Sequence, residues 1–230
     1  MTNTDLMNRL TVLFCLLTFS VFMPSLRAQE AFEGEVIYAI TYEPIQQGFD
    51  TGFLKKEYGD TLVALIKEDK YVMFQNSSGP LGLSKLVYLL DKKVAYMDYE
   101  KSDTILQLAT DAKGAELYRF ERQADNKKEV LDKSCESILI EYKPATGYVD
   151  KVSSRLYFHP DYQLNPEKYA SLSSDFLDRY AAEAKALSLR VETTYGTYYR
   201  AVNHAVSIKA RKIDDAEFEL DPAKAIVKIQ

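Results

Sequence analysis

Much of this chain alternates apolar and polar residues with a period of two, the pattern of β-strands that bury one face. The alternation is clearest in residues 36–42, 187–195 and 202–210, and in the last of these Val202 and Ile208 are predicted to share a face. A shift of one residue would turn a whole apolar set toward water, so each register is strongly specified. The chain is therefore predicted to be β-rich, with its apolar faces turned toward a shared interior.

Shorter apolar runs separated by polar connections predict further strands, joined as antiparallel neighbours. The runs 62–66 and 86–90 are apolar on both faces, so we expect a helix, a partner or a ligand to cover each second face. The other runs are 71–74, 94–99, 104–108, 138–142 and 155–159.

Helical signals are few. Residues 51–58 predict a short helix that stops at Gly59. Ser174 is expected to cap a second helix, whose first turn carries Asp175 and whose stripe is formed by Phe176, Leu177, Tyr180, Ala181 and Ala184. The run 114–128 fits both helix and strand. Successive strands with one or two inserted helices predict a single antiparallel sheet packed on helices.

The first 28 residues predict a cleavable signal peptide. A polar start ending at Arg9 precedes an apolar run, 10–23, and Ala28 offers a small residue at the cleavage site. The apolar run is shorter than the roughly 20 residues that span a bilayer. We expect cleavage after Ala28, a single domain over 29–230 that does not span a membrane, and a periplasmic or secreted location. An uncleaved N-terminal anchor is the alternative.

The charge of the chain argues against two classes of partner. The formal net charge is −5 and there is no basic run, so counterion release on nucleic acid is unfavourable and anionic lipid heads meet no polybasic patch. After cleavage only Cys135 would remain, which excludes an intramolecular disulfide.

No constellation of residues predicts catalysis or a cofactor. His159, Asp161 and His204 include the ligand types of a two-histidine, one-carboxylate metal site, but the two histidines are 45 positions apart in sequence, and His204 is interpreted as a core histidine. Cys135 has acidic Glu136 beside it, which raises a thiol pKa. We interpret Cys135 as a buried structural thiol; an intermolecular disulfide and a nucleophile are the alternatives.

Several short motifs resemble a family of exported bacterial proteins of unknown function that are grouped with the LolA-like half-barrels. Residues 32–38 resemble the family's opening strand, F-x-G-x-(I/V)-x-Y. Cys135 stands before an apolar strand as in that family, with Lys133-Ser134 where the family usually carries Gly-Tyr. The remaining similar segments are 158–161, 165–169 and the closing 218–222.

The strand and helix patterns predict an α+β fold, an antiparallel sheet of about eight to eleven strands with one or two helices. The resemblance implies that this sheet is strongly curved, a half-barrel wrapped on the helices. It also implies an apolar concavity that holds acyl chains. We expect a non-catalytic binding protein for a lipid, an acyl chain or another hydrophobic ligand; the alternative is a cell-envelope protein-interaction module with a filled core. The residues expected to line or fill the interior are Tyr38, Tyr42, Tyr142, Val191, His204, Val206 and Ile208.

Overall fold

A sheet of twelve strands forms the body of the protein in the computed structural model, which describes residues 31–111, 114–145, 147 and 149–229. The described residues belong to one compact unit. The predicted signal peptide, 1–28, lies outside them.

The chain builds the sheet outward from a central strand. β1 pairs with β2 on one side and with β11 on the other, and the spatial order is β12-β6-β5-β4-β3-β2-β1-β11-β10-β9-β8-β7. All neighbours are antiparallel except β12 and β6, which are parallel. The strands are β1 Gly34–Pro44, β2 Thr61–Ile66, β3 Lys70–Gln75, β4 Ser84–Leu89, β5 Val94–Tyr99, β6 Thr104–Ala109, β7 Glu116–Val130, β8 Lys133–Lys143, β9 Val152–Gln163, β10 Ala186–Tyr195, β11 Tyr199–Ala210 and β12 Ala225–Lys228.

The sheet stays open, with β12 and β7 at its edges. It curves enough that residues of β1–β4 and of β9–β11 line one cavity. The predicted α+β fold with a curved antiparallel half-barrel is therefore confirmed. The strand number exceeds the expected range because the ambiguous run 114–128 forms β7 and because β12 was not predicted.

Three short α-helices accompany the sheet within the described residues: α1 Thr51–Tyr58, α2 Pro166–Tyr169 and α3 Leu177–Ala184. α1 has the predicted bounds, since Gly59 adopts φ 78° and its N–H donates to the Lys55 carbonyl. Among the described residues no helix has the length and apolarity needed to cross a bilayer.

The predicted start of the third helix was wrong. Residues Ser174–Phe176 form a 3₁₀ turn, and the Ser174 side chain caps no helix. Asp175 and Phe176 have φ values of 56° and 60°, a left-handed conformation that interrupts an α-helix. The predicted stripe is nevertheless present, because Tyr180, Ala181 and Ala184 are buried.

The C-terminal segment covers the convex face of β2–β4. Leu65, Val72 and Val87 pack there against Ile213 and Phe218. For β2 and β4, the two strands that are apolar on both faces in sequence, the chain itself thus provides the expected cover on this face.

One carboxylate anchors this C-terminal segment to the sheet. Asp215 pairs with Lys67 at 2.7 Å and with Lys70 at 3.0 Å. The hydrogen bonds from Lys67 and then Lys70 lower the pKa of Asp215 from 3.8 to about 2. Because the folded pKa is depressed, the stabilisation is present above pH 4 and is lost as the pH falls toward 2.

We expect Asp215→Asn to lower the midpoint of urea unfolding at pH 6, and the gap from the wild type to close between pH 4 and pH 2. Asp125→Asn is the matched control, since this exposed carboxylate on β7 has no ion pair with a described residue. A gap for Asp215→Asn that is the same at pH 2 and at pH 6 would contradict the assigned ion pairs.

The motif that begins at Phe32 has a packing explanation. A Cβ on Gly34 would lie 2.7 Å from the Phe32 ring and would also clash with the Lys209 carbonyl. Phe32 is buried and packs edge-on against Tyr162, with ring centroids 5.8 Å apart. Glycine at position 34 therefore lets the chain bring Phe32 back over the start of β1.

Candidate functional site

A cavity of about 290 Å³ lies between the concave face of the sheet and the helices α2 and α3, and we call it the apolar cavity. Side chains from alternate positions of β1–β3 form one wall, because a strand presents every second residue to the same face. The wall includes Tyr38, Leu62, Ala64, Ile66, Tyr71 and Met73.

The helices provide the opposite wall. Leu177, Tyr180 and Ala181 are spaced three and four residues apart on α3, so they share one helix face. Tyr169 at the end of α2 and Leu172 in the connection complete this wall. The helical wall was missed as a site in the sequence, although Asn165 and Pro166 are typical of a helix start and the Asn165 side chain does cap α2.

Three tyrosines connect the two walls. The rings of Tyr71 and Tyr88 stack at 4.3 Å with an angle of 15° between their planes, and Tyr71 stacks on Tyr169 at 6.1 Å. Burial raises the pKa of all three above the ordinary tyrosine value. They remain neutral, so this part of the cavity carries no charge from them.

Two further hydroxyl groups reach the apolar cavity. The Tyr38 hydroxyl donates to the Ser188 carbonyl at 2.8 Å. The Tyr180 hydroxyl oxygen is buried and has no hydrogen-bond partner within the described part of the chain. Burial raises the pKa of Tyr180, and the Ser188 side chain, which is close by but outside hydrogen-bond geometry, offsets part of the rise. An unpaired buried hydroxyl costs free energy, so Tyr180 offers a polar contact to a molecule inside the cavity.

Two further cavities lie beside the apolar cavity along the concave face of the sheet. The middle cavity, of about 330 Å³, shares Val191 and Asn203 with the apolar cavity. The aromatic cleft, of about 530 Å³, shares Tyr195 and Tyr199 with the middle cavity. Val191 pairs with Asn203, and Tyr195 pairs with Tyr199, across β10 and β11. The paired strands β10 and β11 therefore form a common floor under the apolar cavity, the middle cavity and the aromatic cleft.

Stacked rings dominate the aromatic cleft. Phe49 stacks on Tyr199 at 5.3 Å, and Tyr199 stacks on Tyr195 at 4.8 Å. Tyr142 and Asp175 also line the cleft. The cleft thus combines ring faces with one carboxylate.

The predicted site residues are divided among these spaces. Tyr38 and Val191 line the apolar cavity, and Val191 and Tyr42 line the middle cavity. Tyr142 lines the aromatic cleft, and Ile208 packs against the buried core around β1. Their roles toward a ligand stay predictions.

His204 and Val206 lie elsewhere because β11 contains a bulge. Tyr38 pairs with Ala205 while Ile37 pairs with Ser207, which leaves Val206 as the extra residue. Val206 is 51% exposed. His204 pairs with Ala39 and so lies on the face opposite Tyr38, where its Nδ1 is 3.2 Å from Arg190. The expected grouping of His204, Val206 and Ile208 on one face was therefore wrong.

The histidines do not meet in the fold. His159 lies 3.4 Å from Asp161, which also pairs with Lys133 at 2.6 Å. Burial first, and then the charges of Arg190 and Lys128, lower the pKa of His204. Within the described ranges, no three His, Cys, Asp or Glu side chains are arranged to hold a metal ion.

Cys135 is fully buried in the core, and its thiol lies 3.5 Å from the Lys133 carbonyl. Burial raises the pKa of Cys135 to about 11. The thiolate population near neutral pH is therefore very small, which fits a structural thiol.

We expect Cys135 to react with Ellman's reagent at pH 8 on the order of a hundredfold more slowly in the folded protein than in guanidinium chloride. The measurement uses a Cys15→Ser chain, which leaves Cys135 as the one thiol in the sequence. Equal rates in the two solvents would show that the thiol is accessible in the fold.

Comparisons with known proteins give similarity in structure alone. An uncharacterized conserved protein from Thermus thermophilus is similar at 10% identity with a TM-score of 0.45, covering 86% of this chain and 91% of that one. A LolA superfamily protein from Nitrosomonas europaea is similar at 9% identity with a TM-score of 0.39, covering 84% and 91%. No protein-family model matches the sequence, and no curated protein matches it.

The predicted resemblance to LolA-like proteins is confirmed in that solved structures similar to this chain include one of that superfamily. At these identities and TM-scores, neither protein assigns a residue role or a ligand to this chain.

Proposed function

We propose that this chain is a non-catalytic binding protein, exported to the periplasm or the medium, that holds a lipid, an acyl chain or another hydrophobic ligand. The observation that carries the proposal is the apolar cavity between the sheet and α2 and α3. An interior that served only stability would be filled, because protein cores pack as densely as organic crystals.

The size of the cavity sets the scale of the ligand. About 290 Å³ holds a chain of roughly ten carbons, if each methylene takes about the 30 Å³ share of a water molecule. Burial contributes about 0.8 kcal/mol per methylene, and the costs of association reduce the sum. We therefore expect an affinity no tighter than the micromolar range for a simple chain of this length.

The middle cavity offers a route to the apolar cavity. It shares Val191 and Asn203 with that cavity, and its lining includes Tyr58, which is 52% exposed. A ligand can thus enter along the floor formed by β10 and β11 without crossing the packed helical wall.

The open cavity disfavours the alternative of an interaction module with a filled core. A module of that kind would need no continuous apolar space behind its helices. A protein partner in the cell envelope is compatible with ligand binding, since a carrier must receive and release its ligand.

The test is the displacement of a fluorescent fatty acid probe. We expect the probe to brighten on binding, and decanoate and longer chains to displace it in a saturable way. Tyr180→Phe removes only the unpaired hydroxyl and serves as a matched variant that keeps the wall apolar. Absence of saturable probe binding by the folded protein would overturn the proposed function.

A further inference from the structure

The aromatic cleft differs in chemistry from the apolar cavity to which the middle cavity connects it. Phe49, Tyr195 and Tyr199 form a continuous stack, and Tyr142 stands on the adjoining part of the lining. Ring faces carry negative electrostatic potential and attract cations, most strongly when water is partly excluded. The cleft therefore favours a positively charged or ring-shaped group over an acyl chain.

Asp175 adds a solvent-exposed carboxylate to the same lining. It has no ion pair with a Lys, Arg or His in the described part of the chain, and none of the described lining residues of the cleft is a Lys or Arg. Burial first, and then the Asp175 charge, raise the pKa of Tyr142, which places the carboxylate close to that hydroxyl. An anionic group in the cleft would be repelled, and a cationic group would meet a carboxylate that makes no ion pair with a described residue. The cation on the adjoining helix α3, Arg179, lies over the Phe176 ring instead.

The position of the cleft fits the polar end of a ligand whose tail fills the apolar cavity. The floor runs along β10 from Val191, which lines the apolar cavity, to Tyr195 in the cleft, four residues or about 13 Å away. Between them the middle cavity is lined by Gln75, Thr193 and Asn203, which offer hydrogen bonds to a polar linker. Along the floor, an apolar space is thus followed by hydrogen-bonding side chains and then by the aromatic cleft. This is the order of tail, linker and head group in an amphiphile.

We propose that the aromatic cleft binds an amine-bearing head group, so that the ligand of this protein is a cationic or amine-headed amphiphile with its tail in the apolar cavity. This inference rests on the proposed function, which it deepens by assigning the class of head group. The ring faces left free at the ends of the stack of Phe49, Tyr199 and Tyr195 would contact the ammonium group, and Asp175 would balance its charge.

The test compares two probes with the same tail and opposite charge, hexadecyltrimethylammonium and hexadecanoate, by displacement of the fluorescent probe below their micelle-forming concentrations. We expect the wild type to bind the ammonium probe about tenfold more tightly. Asp175→Asn and Tyr195→Leu should each reduce this preference by about fivefold, and Asp125→Asn, which removes an equal charge away from the cavities, should leave it unchanged. With an octyl tail the preference should shrink, because the head cannot reach the cleft while the tail stays in the cavity.

The outcomes separate the two proposals. Equal binding of the two hexadecyl probes, or a preference that Asp175→Asn leaves intact, would overturn the head-group assignment while the hydrophobic carrier stands. Failure of both probes to bind the folded protein would overturn the carrier and the assignment together.

Discussion

Replacing Ala181 by Phe is expected to weaken binding of a hydrophobic ligand at least tenfold while the protein remains folded. Ala181 is 1% exposed and lies on the α3 face that lines the apolar cavity. A phenyl group there takes space that the ligand would occupy, and displacement of only two methylenes already costs about 1.6 kcal/mol, more than a factor of ten. Probe displacement measures the affinity, and thermal unfolding reports whether the fold is kept.

Two further variants make this result specific to the cavity. Ala182→Phe places the same group on the exposed side of α3, and we expect it to leave the affinity unchanged. Ala64→Leu fills the cavity from the sheet wall and should weaken binding in the same direction as Ala181→Phe. Equal affinities for Ala181→Phe, Ala64→Leu and the wild type would show that ligands bind elsewhere.

Replacing Phe218 by Ala is expected to cost about 3–5 kcal/mol of unfolding free energy, the range for removal of a buried aromatic ring. Phe218 is 6% exposed and packs with Leu65, Val72 and Val87 on the convex face of the sheet. The variant would leave a cavity over strands that are apolar on both faces, and it would also remove the ring over which the Lys70 ammonium lies at 5.1 Å. Urea unfolding measures the loss.

Phe53→Ala is the matched control for this prediction. Phe53 lies on α1 and is 57% exposed, so its removal should change the unfolding free energy by no more than about 0.5 kcal/mol. Similar losses for the two variants would contradict the C-terminal segment as the cover of this face.

Local pattern was sufficient for the strands that are buried and for the first helix. β2 to β6 alternate or run apolar between short polar connections, and each has a neighbour on both sides. α1 ends at Gly59, which adopts a positive φ. Glycine is the residue that most readily adopts this conformation, so its position in the sequence predicts the end of the helix. In these elements the local preference and the tertiary fold agree.

β7 could not be assigned from its sequence because it lies at an edge. It pairs only with β8, and most of its residues are exposed or half-buried. An edge strand with two solvated faces does not need an apolar alternation, and its charges discourage pairing with other chains. The periodic signal that reveals a strand is therefore missing over residues 114–128.

The face assignment of β11 failed at a single inserted residue. A continuous period of two would place Val202, His204, Val206 and Ile208 together, but the bulge at Val206 reverses the faces beyond it. Nothing in the residues of β11 marks this bulge, since it depends on the pairing with β1. The face of each β11 side chain therefore depends on a tertiary contact, the pairing of β11 with β1, which the sequence of β11 does not encode locally.

The apolar cavity could not be predicted from the alternation of apolar and polar residues. Alternation shows which side chains turn inward, and the volume they leave depends on how far α2 and α3 stand from the sheet. The stack of Tyr71, Tyr88 and Tyr169 joins residues from two strands and one helix, and no sequence spacing relates them. The composition is rich in aromatic rings, with 17 tyrosines and no tryptophan, but it does not show where they meet.

Native mass spectrometry of the protein purified from the cells that produce it, or from their medium, tests the central claim most directly. We predict a wild-type species heavier than the protein by one lipid or acyl-chain ligand, released on unfolding and depleted in Ala181→Phe but not in Ala182→Phe. A wild-type protein found only at its ligand-free mass, or an adduct that Ala181→Phe retains in full, would contradict a hydrophobic ligand held between the sheet and α3.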